Sequence, residues 1–225
     1  MTIQIGLIQL LIIYPQYFFM VDKNGNLVVI SAPSGTGKTT IVKELMLKNQ
    51  NIKASVSYTT RNIRPNETSG LDYVFVTLQT FESMIVQNMF LEFAKVFGHY
   101  YGTPAKETLE ALSRGHTIIL EIDWQGAKQI RLKQTDSMSI FLLPPSKEEL
   151  KKRLTNRATD SSKQIELRFQ EAIKDIEQYS HFDRVIINKN IESTCNEILS
   201  FVNSPDVLEP AVNEEALLVI KSFIQ

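Results

Sequence analysis

The sequence predicts an α/β fold: a parallel sheet with helices on both faces, a small mixed insertion and a lid. Three observations predict it. Runs of β-favouring apolar residues alternate with helically spaced ones, the pattern of βα units around a parallel sheet. The first of these strands, Leu27-Val28-Val29-Ile30, runs into a small loop ending Gly37-Lys38-Thr39, and a helical pattern starts directly after it. Residues 57–103 break the alternation with loop, short strands and a short helix, and so read as an insertion.

The elements follow in order. After the loop, Ile41 to Leu47 continues with helical spacing, and Ala54-Ser55-Val56-Ser57 reads as a short strand. Residues 58–67 carry Pro65 and no apolar period, which predicts loop. Tyr73 to Val76 reads as a strand, Phe81 to Ile85 as a short helix and Phe90 to Phe97 as a strand with Glu92 facing away from Leu91 and Phe93. Gly98 to Thr103 reads as a turn, and Pro104 opens a helix through Leu112. Thr117 to Asp123 is an apolar strand with carboxylates at its C-terminal end, where ligands of open α/β sheets bind. A helix from Gln125 to Lys133 and a strand from Ser139 to Leu143, stopped by Pro144-Pro145, come next. Glu148 to Arg157 reads as a helix with Arg153 and Arg157 on one face, and Ser161-Ser162 caps a helix to Tyr179. Asp183 to Asn188 is the last strand, Glu192 to Val202 a closing helix and Glu214 to Ile224 a final amphipathic helix.

A chain of 225 residues fits one domain with insertions. With 24 Lys plus Arg against 25 Asp plus Glu, it carries no electrostatic footprint for nucleic acid or an anionic membrane. The single cysteine, Cys195, excludes an intrachain disulfide, suits a reducing cytoplasm and reads as a packing residue. His99, His116 and His181 lack the spacing of a metal site. Met1 to Val21 has no charge and the length to span a bilayer, but Gln4, Gln9, Pro15 and Gln16 interrupt it, and no basic residue precedes it. Residues 1–20 are therefore read as an apolar extension from a misassigned start at Met1, with an anchor or a signal peptide as alternatives.

The chemistry begins at the loop Ala32-Pro33-Ser34-Gly35-Thr36-Gly37-Lys38-Thr39. Strand, loop of backbone N–H groups and helix N-terminus together form a P-loop NTPase-type phosphate cradle. Lys38 reaches the terminal phosphates of a nucleotide, and the Thr39 hydroxyl sits on Mg²⁺. Ala32 stands where the loop pattern wants glycine. Arg61 and Arg64, with Tyr73, Tyr100 and Tyr101, form a second anion-binding group within the insertion. Arg153, Arg157 and Arg168 flank a polar connection, as arginines on a closing lid do. Ser57, Glu92, Thr103 and Asp123 offer hydroxyls and carboxylates that could read a base, although spacing alone does not select them.

These residues resemble the guanylate kinases, enzymes that phosphorylate GMP with ATP. The matching stretches are Ser31–Thr40 (SAPSGTGKTT), Ser55–Arg64 (SVSYTTRNIR), Gly98–Thr103 (GHYYGT), Glu121–Ala127 (EIDWQGA), Phe141–Ser146 (FLLPPS) and Leu150–Leu154 (LKKRL). The match as a whole runs in order from about 27 to 204. The resemblance implies a domain over 21–204 with a GMP-binding insertion at 57–103 and a lid at 155–168, followed by a helical tail at 205–225. It implies ATP on residues 32–39 with Asn188 at the adenine, and Mg²⁺ carried with ATP. Arg61, Arg64, Tyr73 and Tyr101 then grip the GMP phosphate, Ser57, Glu92 and Thr103 read guanine with Asp123 beside them, and Glu67 supports them. Lys38, Arg153, Arg157 and Arg168 serve the transferred group. Partners are ATP and GMP or dGMP, with no nucleic acid and no membrane, in the cytoplasm, and a homo-oligomer is compatible. Departures from the family pattern are Tyr58, His99, Glu121 and Ala158, and none removes a group the chemistry requires. The alternatives are a non-catalytic module of the same shape that binds a phosphopeptide, and a kinase of another small phosphorylated substrate.

Overall fold

The computed structural model describes residues 24–155, 162–204 and 210–224. Strand β1 (Leu27–Ser31) feeds the loop and helix α1 (Lys38–Lys48), followed by β2 (Ile52–Ala54). The insertion comprises β3 (Tyr58–Thr59), β4 (Val74–Phe75), α2 (Leu78–Val86), β5 (Phe90–Val96) and β6 (His99–Pro104). The chain then returns through α3 (Ala105–Ser113), β7 (Thr117–Glu121), α4 (Trp124–Lys133), β8 (Met138–Leu143) and α5 (Lys147–Thr155). Helix α6 (Ser162–Ile176), β9 (Arg184–Ile187), α7 (Ile191–Asn203) and α8 (Glu214–Ile224) complete it.

The main sheet is parallel throughout, in the order β2-β7-β1-β8-β9, so the loop leaves the central strand. Strand alternation divides the core between its faces. Leu27, Val29, Ile118, Leu120, Phe141 and Leu143 join one apolar cluster with α4, α5, α6 and α8. Val28, Ile30, Ile119, Ile140, Leu142 and Ile186 join the other, with Ile41 and Leu45 of α1 and Cys195 and Ile198 of α7. Cys195 is fully buried, as a packing residue should be. The second sheet is mixed, in the order β4-β3-β6-β5, and α2 closes it by stacking Phe81 on Phe90 with ring centroids 4.6 Å apart. Truncating the fully buried Phe81 to alanine should cost about 3–5 kcal/mol.

Three expectations are corrected, in the insertion and at its entry. The strand expected over 54–57 is instead the crossover between two sheets: β2 ends at Ala54, 55–57 belong to no strand, and β3 begins at Tyr58. The stretch expected as loop from 58 contains β3, because Tyr58 and Thr59 pair with both β4 and β6. The turn expected at 98–103 is strand β6, paired with β5 from His99 to Pro104. Only Phe97 and Gly98 form the turn, both with positive φ. Two-residue strands have no periodicity to detect, and tyrosines beside glycines mimic a turn composition. Helix α6 also ends earlier than Tyr179, which belongs to a 3₁₀ turn. The apolar extension 1–20, Arg157, Ala158 and Ser161 lie outside the described residues. Among the described residues no helix is long and apolar enough to cross a membrane.

Candidate active site

Helix α1 begins at Gly37, which caps it with φ 98° and no side-chain hydrogen bond, and no acidic residue occupies its first turn. Its N–H groups are thus left to an anion. A Cβ at Gly37 would stand 2.9 Å from Asn188 Nδ2 as well as forcing the left-handed backbone. Ala32 lies outside the left-handed region, so its methyl is accommodated. Two groups brace the loop from behind through the Thr36 carbonyl: Asn188 Nδ2 donates at 2.7 Å and Arg153 Nη1 at 2.9 Å. Asn188 is buried, and its Oδ1 accepts from Thr194 at 3.2 Å, so both ends of its amide face the protein. Arg153 is further held by Glu149, Nε to Oε1 at 2.8 Å. Thr36 Oγ1 is buried inside the loop without a protein hydrogen-bond partner.

Beyond the loop, Lys38 Nζ donates to the Ile122 carbonyl at 3.0 Å, and Thr39 Oγ1 to Glu121 Oε1 at 2.5 Å. Hydroxyl and carboxylate side by side at the helix start are hard oxygen donors that fit Mg²⁺. Asp123 caps α4: Oδ1 accepts from the Gly126 N–H at 2.9 Å and Oδ2 from Gln125 Nε2 at 3.1 Å. Burial raises its pKa despite these bonds and the nearby Lys38 ammonium.

In the insertion, Arg61 meets Glu67 as a two-pronged pair, Nη2 to Oε1 at 2.7 Å and Nη1 to Oε2 at 2.9 Å. Its guanidinium lies over the Tyr73 ring, 5.2 Å from the centroid. Burial works against the Glu67 charge, but Arg61 and the Arg64 N–H outweigh it and hold the carboxyl below its ordinary pKa. The Arg64 side chain is half exposed, 3.9 Å from Glu67. Tyr101 meets Tyr73 edge-on with centroids 5.9 Å apart, and burial holds the Tyr73 hydroxyl protonated. Four groups expected to bind one phosphate, Arg61, Arg64, Tyr73 and Tyr101, are therefore neighbours.

Glu92 and Thr103 face each other across β5 and β6, with Thr103 Oγ1 donating to Glu92 Oε1 at 2.6 Å. Glu92 is only 2 % exposed, and burial, with Asp123 nearby, pushes its pKa up to about 7 against the Thr103 bond. A Cβ at Gly126 would come within 2.3 Å of Glu92 Oε2, so the start of α4 approaches the carboxylate closely enough to require glycine there. Ser57 is buried where the chain crosses between the sheets. A cleft of about 70 Å³ between α1 and the insertion is lined by Thr39, Lys43, Ser57, Asp72, Tyr73 and Glu121. It joins the first turn of α1 to Tyr73. Lys43 bridges its rim to Asp72 at 3.1 Å.

Of the arginines expected on a lid, Arg168 stands on α6 with its guanidinium 5.6 Å from the Phe97 ring centroid. Asp175 was not among the expected residues. It lies on the same helix, where burial and the Asp123 carboxylate push its pKa up to about 7 while Lys38 opposes them, and the Trp124 indole donates to it. The signal was periodicity: Arg168, Ala172 and Asp175 share one face of α6.

A family model described as guanylate kinase matches residues 24–205. The guanylate kinase of Acinetobacter baylyi is 45 % identical over 181 residues, covering 80 % of this chain and 87 % of that protein. That of Legionella pneumophila (strain Paris) is 42 % identical over 199 residues, covering 88 % and 95 %. Among solved structures, the guanylate kinase of Anaplasma phagocytophilum superposes with a TM-score of 0.69 at 33 % identity, covering 84 % of this chain and 89 % of the other.

Proposed function

The chain belongs to the guanylate kinase family, and we propose that it transfers the γ-phosphoryl group of ATP to GMP, and to dGMP, giving ADP and GDP. The observation that carries this reading is the buried Glu92, hydrogen-bonded to Thr103 in the same insertion as the Arg61–Tyr73–Tyr101 group. Guanine offers an N1–H and an N2 amino group side by side, which one carboxylate accepts together, and the Ser57 and Thr103 hydroxyls can donate to O6. Adenine offers no such pair of donors.

In this reading the loop 32–39 holds the ATP phosphates on backbone N–H groups and Lys38. Arg61, Arg64, Tyr73 and Tyr101 hold the GMP phosphate. Transfer then needs positioning and charge neutralisation rather than a base, because the attacking phosphate oxygen is already an anion. Lys38, Arg153, Arg157 and Arg168 supply cationic charge, and Asn188 acts on ATP through the Thr36 carbonyl it braces. Thr39, with Glu121 beside it, would hold Mg²⁺, which would neutralise phosphate charge as the ATP complex. The 57–103 insertion and the 155–168 lid act as the acceptor unit and the cover of a single 21–204 enzyme, working in the cytoplasm. A coupled assay of ADP release with GMP, dGMP, AMP, CMP and UMP tests the reading. It predicts release that depends on GMP or dGMP. ATP hydrolysis indifferent to the acceptor, or tight GMP binding without release, would overturn it.

A further inference from the structure

The turn between β5 and β6 contains a residue that its geometry disfavours. Val96 pairs with His99, leaving a two-residue loop of Phe97 and Gly98, with φ 48° and 84°. Two-residue hairpin loops with both central φ positive are the type I′ turns that favour Asn-Gly, and a bulky side chain at the first position is strained. Gly98 fits the second position, but Phe97 does not fit the first. Burial offers no compensation, because Phe97 is 46 % exposed. What the ring does meet is the guanidinium of Arg168, 5.6 Å from its centroid. An exposed cation–π contact is smaller than the strain of such a residue, so stability alone does not account for a phenylalanine here.

The contact joins the acceptor hairpin to helix α6. Phe97 tips the hairpin whose strands carry Glu92, Tyr101 and Thr103. Arg168 projects from α6, which is anchored in the core by Phe169, Ala172 and Ile176. Arginine carries many rotamers, and ordering it before reaction removes an entropic cost from the transition state. We infer that Phe97 is a positioning residue: its ring orients the Arg168 guanidinium across the gap between the lid-side helix and the acceptor hairpin, so that the arginine enters phosphoryl transfer already ordered. The inference rests on the kinase reading given above.

Strain and function make opposite demands at this position, which supplies the test. In the full chain, Phe97→Asn relieves the backbone and removes the ring. Ligand-free thermal unfolding should shift upward by roughly 2–4 °C. At the same time kcat should fall about tenfold to a hundredfold, with KM for GMP changed less than about twofold. Phe97→Leu keeps the strain and apolar bulk without the π face, and should lose kcat without gaining stability. Phe97→Tyr keeps the ring and should restore kcat to within about twofold. In an Arg168→Gln background, Phe97→Asn should lower kcat by less than about twofold further, because the two residues act as one unit. Full kcat in Phe97→Leu or Phe97→Asn would overturn the inference. So would a parallel fall of melting temperature and kcat in Phe97→Asn, or an undiminished loss in the Arg168→Gln background. An inactive wild type would overturn the kinase reading as well, whereas an active wild type with unmoved Phe97 variants overturns this inference alone.

Discussion

Lys38 illustrates how much one side chain can be asked to do in this site. Its ammonium donates to the Ile122 carbonyl and lies in the field of both Asp123 and Asp175, which keeps it near the loop before nucleotide arrives. Replacing it by alanine removes one cationic donor to the transferring group and should lower kcat by about 10²–10³. GMP binding, measured by calorimetry, should be unchanged, because the acceptor residues are elsewhere; wild-type kcat in Lys38→Ala would contradict the role. Glu92 makes a prediction in pH. Its folded pKa of about 7 exceeds its unfolded value, so its contribution to ligand-free stability is full at low pH and is lost as pH rises through 7. In the proposed role Glu92 reads guanine in its ionised form, so KM for GMP should rise as pH falls from 8 to 6 while KM for ATP stays level. A flat KM for GMP across that range would show that the carboxyl is not reading donors.

At the scale of elements, the junction of β7 and α4 is closely constrained around Glu92. Asp123 caps α4, and Gly126 in its first turn leaves room for Glu92 Oε2. Gly126→Ala sets a methyl against that carboxylate, and should raise KM for GMP at least tenfold with a smaller effect on KM for ATP. Equal changes in both would point to general damage. This junction was only partly legible in the sequence. The apolar strand and its terminal carboxylates were visible at 117–123, and so was the phosphate loop, because burial and backbone geometry restrict which residues can occupy such stretches. The Gly126–Glu92 approach was not, because it joins residues from distant parts of the chain. The short strands of the insertion were missed for a related reason. Tyr58–Thr59 is two residues long and gains its identity from its neighbours in space, β4 and β6. Asp175 lies within the helix that the sequence predicts up to Tyr179, yet its proximity to Lys38 and Asp123 is a property of the fold.

For the whole molecule, the 57–103 insertion and helix α1, which follows the phosphate loop, line opposite sides of one cleft, joined across its rim by Lys43–Asp72. On the proposed reading, two separate anion sites predict separate stabilisation. GMP alone at a hundredfold excess over its Kd should contribute about 2.7 kcal/mol, a rise in melting temperature of roughly 5–10 °C for a chain of this size. ATP with Mg²⁺ should add its own increment, and a GMP shift that appears only when nucleotide is already bound would contradict independent sites. The central claim is that a buried carboxylate in the insertion makes this transferase choose guanine. The most direct test is the ratio of kcat/KM for GMP to that for AMP, in wild type and in Glu92→Gln. An amide sets an N–H donor against the donors of guanine, so the ratio should collapse by on the order of 10²-fold or more, while the variant unfolds near the wild-type temperature. An unaltered ratio in a folded Glu92→Gln protein would contradict the account.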